Sequence, residues 1–232
     1  MGVRLKKEEA PEMRMTWMPL ALLIATSSVA ASDLEELTES RYSEAKGQKG
    51  ILIVQVNWGR SWGCGGFENA QLQSLSFAQH PRTGPSAQDS SFELAPPSSL
   101  FVNDHFVPYA YIIKPGTYAL TGFDVKVARS TTDVGHFKGT KDQLFAGGAP
   151  VGGAFTVHPG EAVYIGHIGL DCSQQPIPWR YYIEGRADFD RYVSGFRERF
   201  PFVEDVPVRF RLLETSSFGQ PYALEEEPSN GE

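Results

Sequence analysis

The core of the chain begins with Ile51-Leu52-Ile53-Val54-Gln55-Val56-Asn57-Trp58, an apolar run rich in β-branched residues. Gly50 and Gly59 bound this run, and a β-branched segment between such breakers is typical of a strand. The apolar residues at its start are continuous rather than alternating, so both faces of the strand require a cover. The sequence therefore predicts a central strand that is buried on both sides.

Shorter strand patterns follow at intervals along the rest of the chain. They are separated by turn signals rich in glycine, proline and serine. The predicted strands are 70–79, 92–94, 107–113, 118–128, 155–157, 162–170, 179–183 and 206–212. Repeated short strands at this spacing are typical of a β-sandwich or a β-barrel.

Two of the connections contain a Pro-Gly pair. Lys114-Pro115-Gly116-Thr117 lies between the strands predicted at 107–113 and 118–128, and His158-Pro159-Gly160-Glu161 precedes the strand predicted at 162–170. A type II turn needs a positive φ at its third position, which glycine adopts without steric cost. We therefore predict that each turn joins two antiparallel strands into a hairpin.

Residues 188–200 change the period of the sequence from two to that of a helix. The apolar side chains recur at i, i+3, i+4, i+7 and i+11, at Phe189, Tyr192, Val193, Phe196 and Phe200. Asp188 is a candidate N-cap and Pro201 ends the pattern. Gly195 weakens the middle of this helix by about 1 kcal/mol relative to alanine. The predicted fold class is mainly β: an antiparallel β-sandwich with one amphipathic C-terminal helix over about 188–200.

The two Pro-Gly segments also carry a family resemblance. Lys114-Pro115-Gly116-Thr117-Tyr118-Ala119-Leu120 and His158-Pro159-Gly160-Glu161-Ala162-Val163-Tyr164-Ile165-Gly166 resemble the turns of prealbumin-like, carboxypeptidase-regulatory-like β-sandwiches in exported bacterial proteins. The resemblance covers about Val107 to Leu170, and it implies a sandwich fold. It implies no catalytic residue, because turn chemistry specifies a fold and not an activity.

Residues 13–31 have the organisation of a secretory signal peptide. Arg14 supplies a positive charge, residues 15–26 form a short apolar region, and small residues lead to a cleavage site after Ala31. The apolar region is too short for a stable membrane span, although an uncleaved anchor is the alternative interpretation. We interpret residues 1–12 as an over-called start.

The remaining chain divides into three predicted parts. Residues 32–49 are polar and predict a flexible leader with one or two loose helical turns. Residues 50–215 form the predicted sandwich domain, and residues 216–232 predict a disordered acidic tail. After signal cleavage, no second apolar run approaches the length of a membrane span.

The charge balance limits the classes of partner. Residues 1–31 contain four of the 21 basic and three of the 28 acidic side chains, which leaves 17 basic against 25 acidic side chains. No cluster of lysine or arginine stands out from this acidic background. The composition therefore argues against nucleic acid or an anionic membrane surface as a partner.

The two cysteines, Cys64 and Cys172, are predicted to form one disulfide. An even cysteine count in an exported chain usually indicates a bridge, with free buried thiols or a catalytic thiol as alternatives. Closing a loop of this length would stabilise the fold by about 4–5 kcal/mol in the chain-entropy model.

Three residues are candidates for chemistry, each with a simpler structural explanation. His167 and Asp171 would share a face of a strand beside Cys172, so a metal site or an activated thiol is conceivable. Cys64 lies among glycines whose amides could stabilise an oxyanion. The simpler explanations are a histidine at a strand end and glycines that flank a disulfide. We therefore predict no catalytic residue, no metal and no cofactor.

Aromatic residues around the glycine-rich loop 61–66 are candidates for ligand binding. Trp62 is the best candidate for an exposed ring, and Phe67 and Trp58 are the others. For Trp58 the alternative interpretation is a core residue, which is the more common outcome at such a position. Aromatic faces on such loops stack on sugar rings or hold peptide side chains. The long polar segment 80–91 would extend this surface.

Three functional hypotheses follow from these observations. The first is an exported, non-enzymatic module of the periplasm or the extracellular space that binds an envelope protein or glycan. The second is an envelope hydrolase or metal-dependent enzyme that uses His167, Asp171 or Cys64. The third is a structural subunit that contributes edge strands to an envelope assembly. The absence of a nucleophile–base or metal-ligand spacing favours the first hypothesis over the second.

Overall fold

The run 51–58 forms the strand β2, Gly50–Asn57, inside a six-stranded sheet of the computed structural model. The structure describes residues 34–45, 47–81, 90–98 and 104–225. The predicted signal peptide, most of the segment 80–91 and the last seven residues of the predicted tail lie outside these residues.

The sheet that contains β2, called sheet A, has the strand order β1–β6–β2–β10–β11, with β12 also beside β10. Its other strands are β1 Leu34–Glu36, β6 Phe106–Ile113, β10 Ala162–Asp171, β11 Ile177–Tyr181 and β12 Val208–Phe210. β2 pairs antiparallel with β6 and parallel with β10, while β12 pairs parallel with β10. The sheet is therefore mixed, although antiparallel pairing predominates in the fold.

The second sheet, sheet B, has the order β3–β4–β7–β8, with β5 beside β4 and β9 beside β7. These strands are β3 Arg60–Cys64, β4 Phe67–Gln79, β5 Ser91–Leu94, β7 Gly116–Ala128, β8 Val134–Gly139 and β9 Ala154–Val157. All of its strand pairs are antiparallel. The two sheets pack as a β-sandwich, which confirms the predicted fold class.

The side chains of β2 alternate between two apolar cores. Leu52, Val54 and Val56 are buried between the two sheets. Ile51 and Ile53 are buried on the opposite face of sheet A, beneath a helix. This alternation confirms the prediction that β2 is covered on both sides, because each core requires its own apolar residues from one strand.

The two Pro-Gly turns do not form the hairpins that the sequence predicts. β6 belongs to sheet A and β7 to sheet B, so the turn at Pro115-Gly116 carries the chain from one sheet to the other. The turn at Pro159-Gly160 does the same between β9 and β10. β7 pairs instead with β9, so that Gly116 lies opposite Val157. The same turn can connect two strands of one sheet or two strands of different sheets. Packing across the sandwich determines which strands pair.

The predicted C-terminal helix is confirmed as α3, Arg186–Arg199. It begins two residues earlier than predicted, because its N-cap is Gly185 with a φ of 83°, while Asp188 lies in the first turn. Phe189, Val193 and Phe196 are buried against the outer face of sheet A. A shorter helix, α1 Glu39–Ala45, lies in the segment for which one or two loose helical turns were predicted. The helix α2 Lys141–Leu144 and the 3-10 turn Pro201–Val203 were not predicted.

The described residues of the predicted flexible leader, 34–45 and 47–49, pack on the fold. β1 pairs with β6, with Leu34 opposite Ile113, and Leu37 is buried against the outer core of sheet A. The polar composition of the segment did not predict this packing. A few apolar side chains and a short edge strand are enough to hold the segment on the fold.

The first part of the predicted disordered tail, residues 216–225, also packs on the fold. The ring of Phe218 lies edge-on to Phe123 of β7, with 5.7 Å between ring centroids. Tyr222 stacks on Tyr182 at 4.1 Å, on the side of sheet A. This segment therefore contacts both sheets. Packing of its aromatic side chains holds it on the fold although most of its residues are polar.

Candidate functional site

The predicted disulfide joins the two sheets. Cys64 ends β3 in sheet B, Cys172 follows β10 in sheet A, and their Cα atoms lie 4.4 Å apart. Gly65 and Gly66 form a two-residue turn after Cys64 with φ values of 58° and 81°, as a type I′ hairpin requires. Because the sulfur of Cys64 is bonded to Cys172, the hypothesis of a nucleophilic Cys64 thiol is wrong for this oxidised structure.

His167 lies on the outer face of sheet A among aromatic rings. The centroids of Phe106, Tyr164 and Tyr192 are between 5.2 and 6.3 Å from its own. Burial lowers the pKa of His167 to about 4, so the ring is neutral at pH 7. Its Nε2 atom is buried and has no hydrogen-bond partner among the described residues. A β-bulge between Tyr164 and His167 turns both side chains toward the same face.

Asp171 does not act with His167 in the arrangement that the structure shows. Its carboxylate accepts hydrogen bonds from the backbone N–H of Ser173 at 2.8 Å and from the Ser173 hydroxyl at 3.0 Å. Within the described parts of the chain, no three His, Cys, Asp or Glu side chains are grouped as a metal site requires. His167 and Asp171 are therefore not brought together as ligands, and the carboxylate stabilises the start of the β10–β11 loop.

Trp58 is part of the core rather than a binding surface, which corrects its candidacy as a ligand residue. Its side chain is fully buried between the sheets. The indole Nε1–H donates a hydrogen bond to the Tyr109 hydroxyl at 2.8 Å. A buried ring with a satisfied donor offers no face to a ligand.

Trp62 is exposed, as the sequence predicted. It lies on strand β3 rather than in a loop, and 64% of its surface is accessible. The guanidinium of Arg60 lies 5.5 Å from the centroid of the indole ring. Phe67, on the neighbouring strand, is partly buried and lies beneath Arg129, with 4.6 Å between the guanidinium carbon and the ring centroid. Only Trp62 of the three predicted aromatic residues presents an open ring.

A cleft lies between helix α3 and the outer face of sheet A, and the sequence did not predict it. Its volume is about 230 Å³. The lining side chains come from β2, β6 and α3: Ile53, Gln55, Pro108, Tyr109, Ala110, Tyr192, Gly195, Phe196, Arg199 and Phe200. We call this space the α3 cleft. Most of its walls are apolar. Burial raises the pKa of Tyr192, and the neighbouring Gln55 side chain offsets part of that rise.

The α3 cleft is adjacent to a second space, which we call the outer depression. This space has a volume of about 330 Å³ and shares Pro108, Tyr109, Ala110, Arg199 and Phe200 with the cleft. Glu36 lines the outer depression but not the cleft. Arg199 is exposed and has no ion pair with any described residue. Its guanidinium carbon lies 5.3 Å from the centroid of the Phe200 ring. The cation beside this apolar cavity therefore contacts an aromatic ring but has no described carboxylate partner.

One feature of the sequence could have indicated the α3 cleft. Tyr192, Gly195, Phe196 and Arg199 recur at i, i+3, i+4 and i+7, so they share one face of α3. A glycine within an apolar face of a helix lowers stability and leaves a gap in the wall that the face forms. The sheet residues opposite that gap could not be identified, because their proximity depends on the tertiary fold.

A larger depression, of about 490 Å³, lies at the other end of α3. It is lined by three arginines, two of which are paired. Arg186 lies 3.9 Å from Asp190, and Arg211 forms an ion pair with Glu161 at 2.5 Å. Its cations are therefore largely neutralised by the chain itself, unlike Arg199 at the α3 cleft.

Comparisons with known proteins found no match to the chain among protein families, curated proteins or solved structures. Among the helices that the structure describes, none is both long enough and apolar enough to cross a membrane.

Proposed function

We propose that this protein is an exported, non-enzymatic β-sandwich module that binds a protein or glycan of the cell envelope. The exposed ring of Trp62 is the observation that carries the binding proposal. An indole ring with this much exposure offers a large apolar face, and burying that face against a partner would be favourable. We further propose that the fold is related to the prealbumin-like sandwiches that its Pro-Gly segments resemble.

Export is supported by the disulfide between Cys64 and Cys172, because such bonds persist in oxidising compartments. The signal-peptide pattern of residues 13–31 supports the same location. Cell fractionation followed by N-terminal sequencing tests this part of the proposal. We expect an extracytoplasmic protein that begins at Ser32, and a cytosolic protein that retains residues 13–31 would contradict it.

Binding through Trp62 is supported by the chemistry of its surroundings. An open indole face stacks on a sugar ring or on an apolar side chain, and the adjacent Arg60 guanidinium adds a donor for hydroxyl or carboxylate groups. Both kinds of group occur in envelope glycans and on protein surfaces. This surface is therefore suited to recognition.

The binding test compares Trp62→Ala with Val134→Ala, which truncates another exposed apolar residue on a different strand. Each variant is used in affinity purification from envelope extracts and in co-sedimentation with purified insoluble cell-wall glycan. We expect Trp62→Ala to abolish binding and Val134→Ala to retain it, while both unfold at the same urea concentration as the parent. Equal binding by the two variants would overturn the role of Trp62.

A further inference from the structure

Gly195 gives the first indication that the α3 cleft holds a ligand. A β-carbon built on this residue would have no described heavy atom within 4 Å, apart from its chain neighbours and the backbone of its own helix. Glycine within a helix costs about 1 kcal/mol relative to alanine. No contact in the described structure requires the glycine, and its effect is to keep the wall of the cleft open.

The chemistry of the walls restricts what could occupy this space. Ile53, Ala110 and Phe196 offer an apolar surface to an occupant. An apolar group would therefore gain free energy by leaving water and entering the cleft. The volume of about 230 Å³ is smaller than that of pockets for drug-sized ligands, which indicates a short hydrocarbon chain or a single ring.

The charge at the cleft indicates the polar end of the ligand. Arg199 lines both the cleft and the outer depression, whereas Glu36 lines only the outer depression. A ligand with its apolar part in the cleft would therefore place its polar end nearer to the cation than to the carboxylate. An arginine guanidinium binds a carboxylate with two parallel hydrogen bonds, and few other side chains match that geometry.

We propose that the α3 cleft binds a small amphipathic monocarboxylate. The apolar part lies between α3 and sheet A, and the carboxylate contacts Arg199. The ligand is a free small molecule rather than the carboxyl terminus of a peptide, because a volume of about 230 Å³ accommodates little more than one short chain or ring. This site is separate from the Trp62 surface. The proposal of a ligand in the α3 cleft is therefore independent of the function proposed above.

Isothermal titration of the signal-free protein with hexanoate, 1-hexanol and hexylamine tests the proposal. We expect one saturable site for hexanoate, with at least about tenfold weaker binding of the alcohol and the amine. Arg199→Gln should weaken hexanoate binding about tenfold and leave hexanol binding unchanged. Arg199 is exposed, so this variant is expected to fold. Equal affinities for hexanoate and hexanol in the parent protein would overturn the proposed role of the carboxylate.

The position of the ligand is tested by filling the cleft. Gly195→Leu places a side chain in the space, while Ser194→Leu adds the same side chain to an exposed neighbouring residue that does not line it. We expect Gly195→Leu to abolish hexanoate binding and Ser194→Leu to retain it. Unchanged binding by Gly195→Leu, or tighter binding of a tripeptide with an apolar C-terminal residue than of hexanoate, would overturn the proposal. The Arg199 comparison decides the case if Gly195→Leu does not fold.

Discussion

Gly50, the first residue of β2, lies directly against Val157 at the end of β9. A β-carbon on Gly50 would overlap the Cγ1 atom of Val157 and lie 2.7 Å from the carbonyl oxygen of His158. The next residue, Ile51, donates its backbone N–H to the carbonyl oxygen of Glu161 at 2.8 Å. The start of the central strand is therefore packed backbone to backbone against the second Pro-Gly turn.

This packing predicts opposite effects of the same substitution at two glycines. Gly50→Ala should lower the free energy of unfolding by about 1–3 kcal/mol, because backbone atoms must move to admit the methyl group. Gly195→Ala should raise it by up to about 1 kcal/mol, because its position is open and alanine favours the helix. Urea unfolding of both variants measures the difference. A Gly50→Ala variant as stable as the parent would show that the approach is looser than described.

The disulfide should contribute strongly to stability. Cys64 and Cys172 are 108 residues apart in sequence, and closing such a loop restricts the unfolded chain. Replacement of both cysteines by alanine should lower the free energy of unfolding by about 4–5 kcal/mol in the chain-entropy model. Thiol titration of the denatured, non-reduced protein should detect no free sulfhydryl. Two titratable thiols would refute the bridge.

His167 should make the fold sensitive to mild acid. Its pKa is lowered by burial to about 4, from an ordinary value of 6.5. As the pH falls below 6.5, the unfolded chain binds a proton at this residue, while the folded protein resists protonation until about pH 4. Stability should therefore decline through this range, since the unfolded state binds more protons.

His167→Phe should remove this part of the pH dependence, because phenylalanine fits the aromatic surroundings and does not titrate. Urea unfolding at several pH values between 7 and 4 compares the variant with the parent. NMR titration of the parent gives the pKa of the imidazole directly. A midpoint near 6.5 in the folded protein would contradict the buried environment.

The packed part of the C-terminal segment should respond to changes at Tyr222. The hydroxyl of this residue accepts a hydrogen bond from the Gly185 backbone N–H at 2.8 Å, at the start of α3, and its ring stacks on Tyr182. Tyr222→Phe should lower the free energy of unfolding by about 1 kcal/mol through loss of the hydrogen bond. Tyr222→Ala should cost about 0.5–1.5 kcal/mol more through loss of the stacked pair. If both variants match the parent in urea unfolding, the segment does not pack in solution.

Local patterns predicted the elements that depend on neighbouring residues. The apolar run 51–58 predicted a strand covered on both faces, and the spacing of Phe189, Val193 and Phe196 predicted α3. The even cysteine count predicted the bridge that the structure contains. These predictions succeeded because periodicity and covalent pairing are properties of the sequence itself.

The candidate site was predicted less completely. Trp62 and Trp58 were both candidates for ligand binding. Trp62 is exposed as predicted, whereas Trp58, four residues earlier, is fully buried. The α3 cleft was not predicted, because it is formed by residues of β2, β6 and α3 that are distant in sequence. Burial depends on which segments of the chain come into contact in the fold. Local sequence patterns do not show those contacts.

The sequence by itself determined that this chain forms short strands, two reversals at Pro115-Gly116 and Pro159-Gly160, and one apolar-faced helix. Only the tertiary structure decided that both reversals pass between sheets, and that β2 lies parallel to β10. The physical reason is that a turn fixes the direction of the chain through a few dihedral angles. The hydrogen-bond partner of a strand is instead selected by burial of apolar surface across the whole domain.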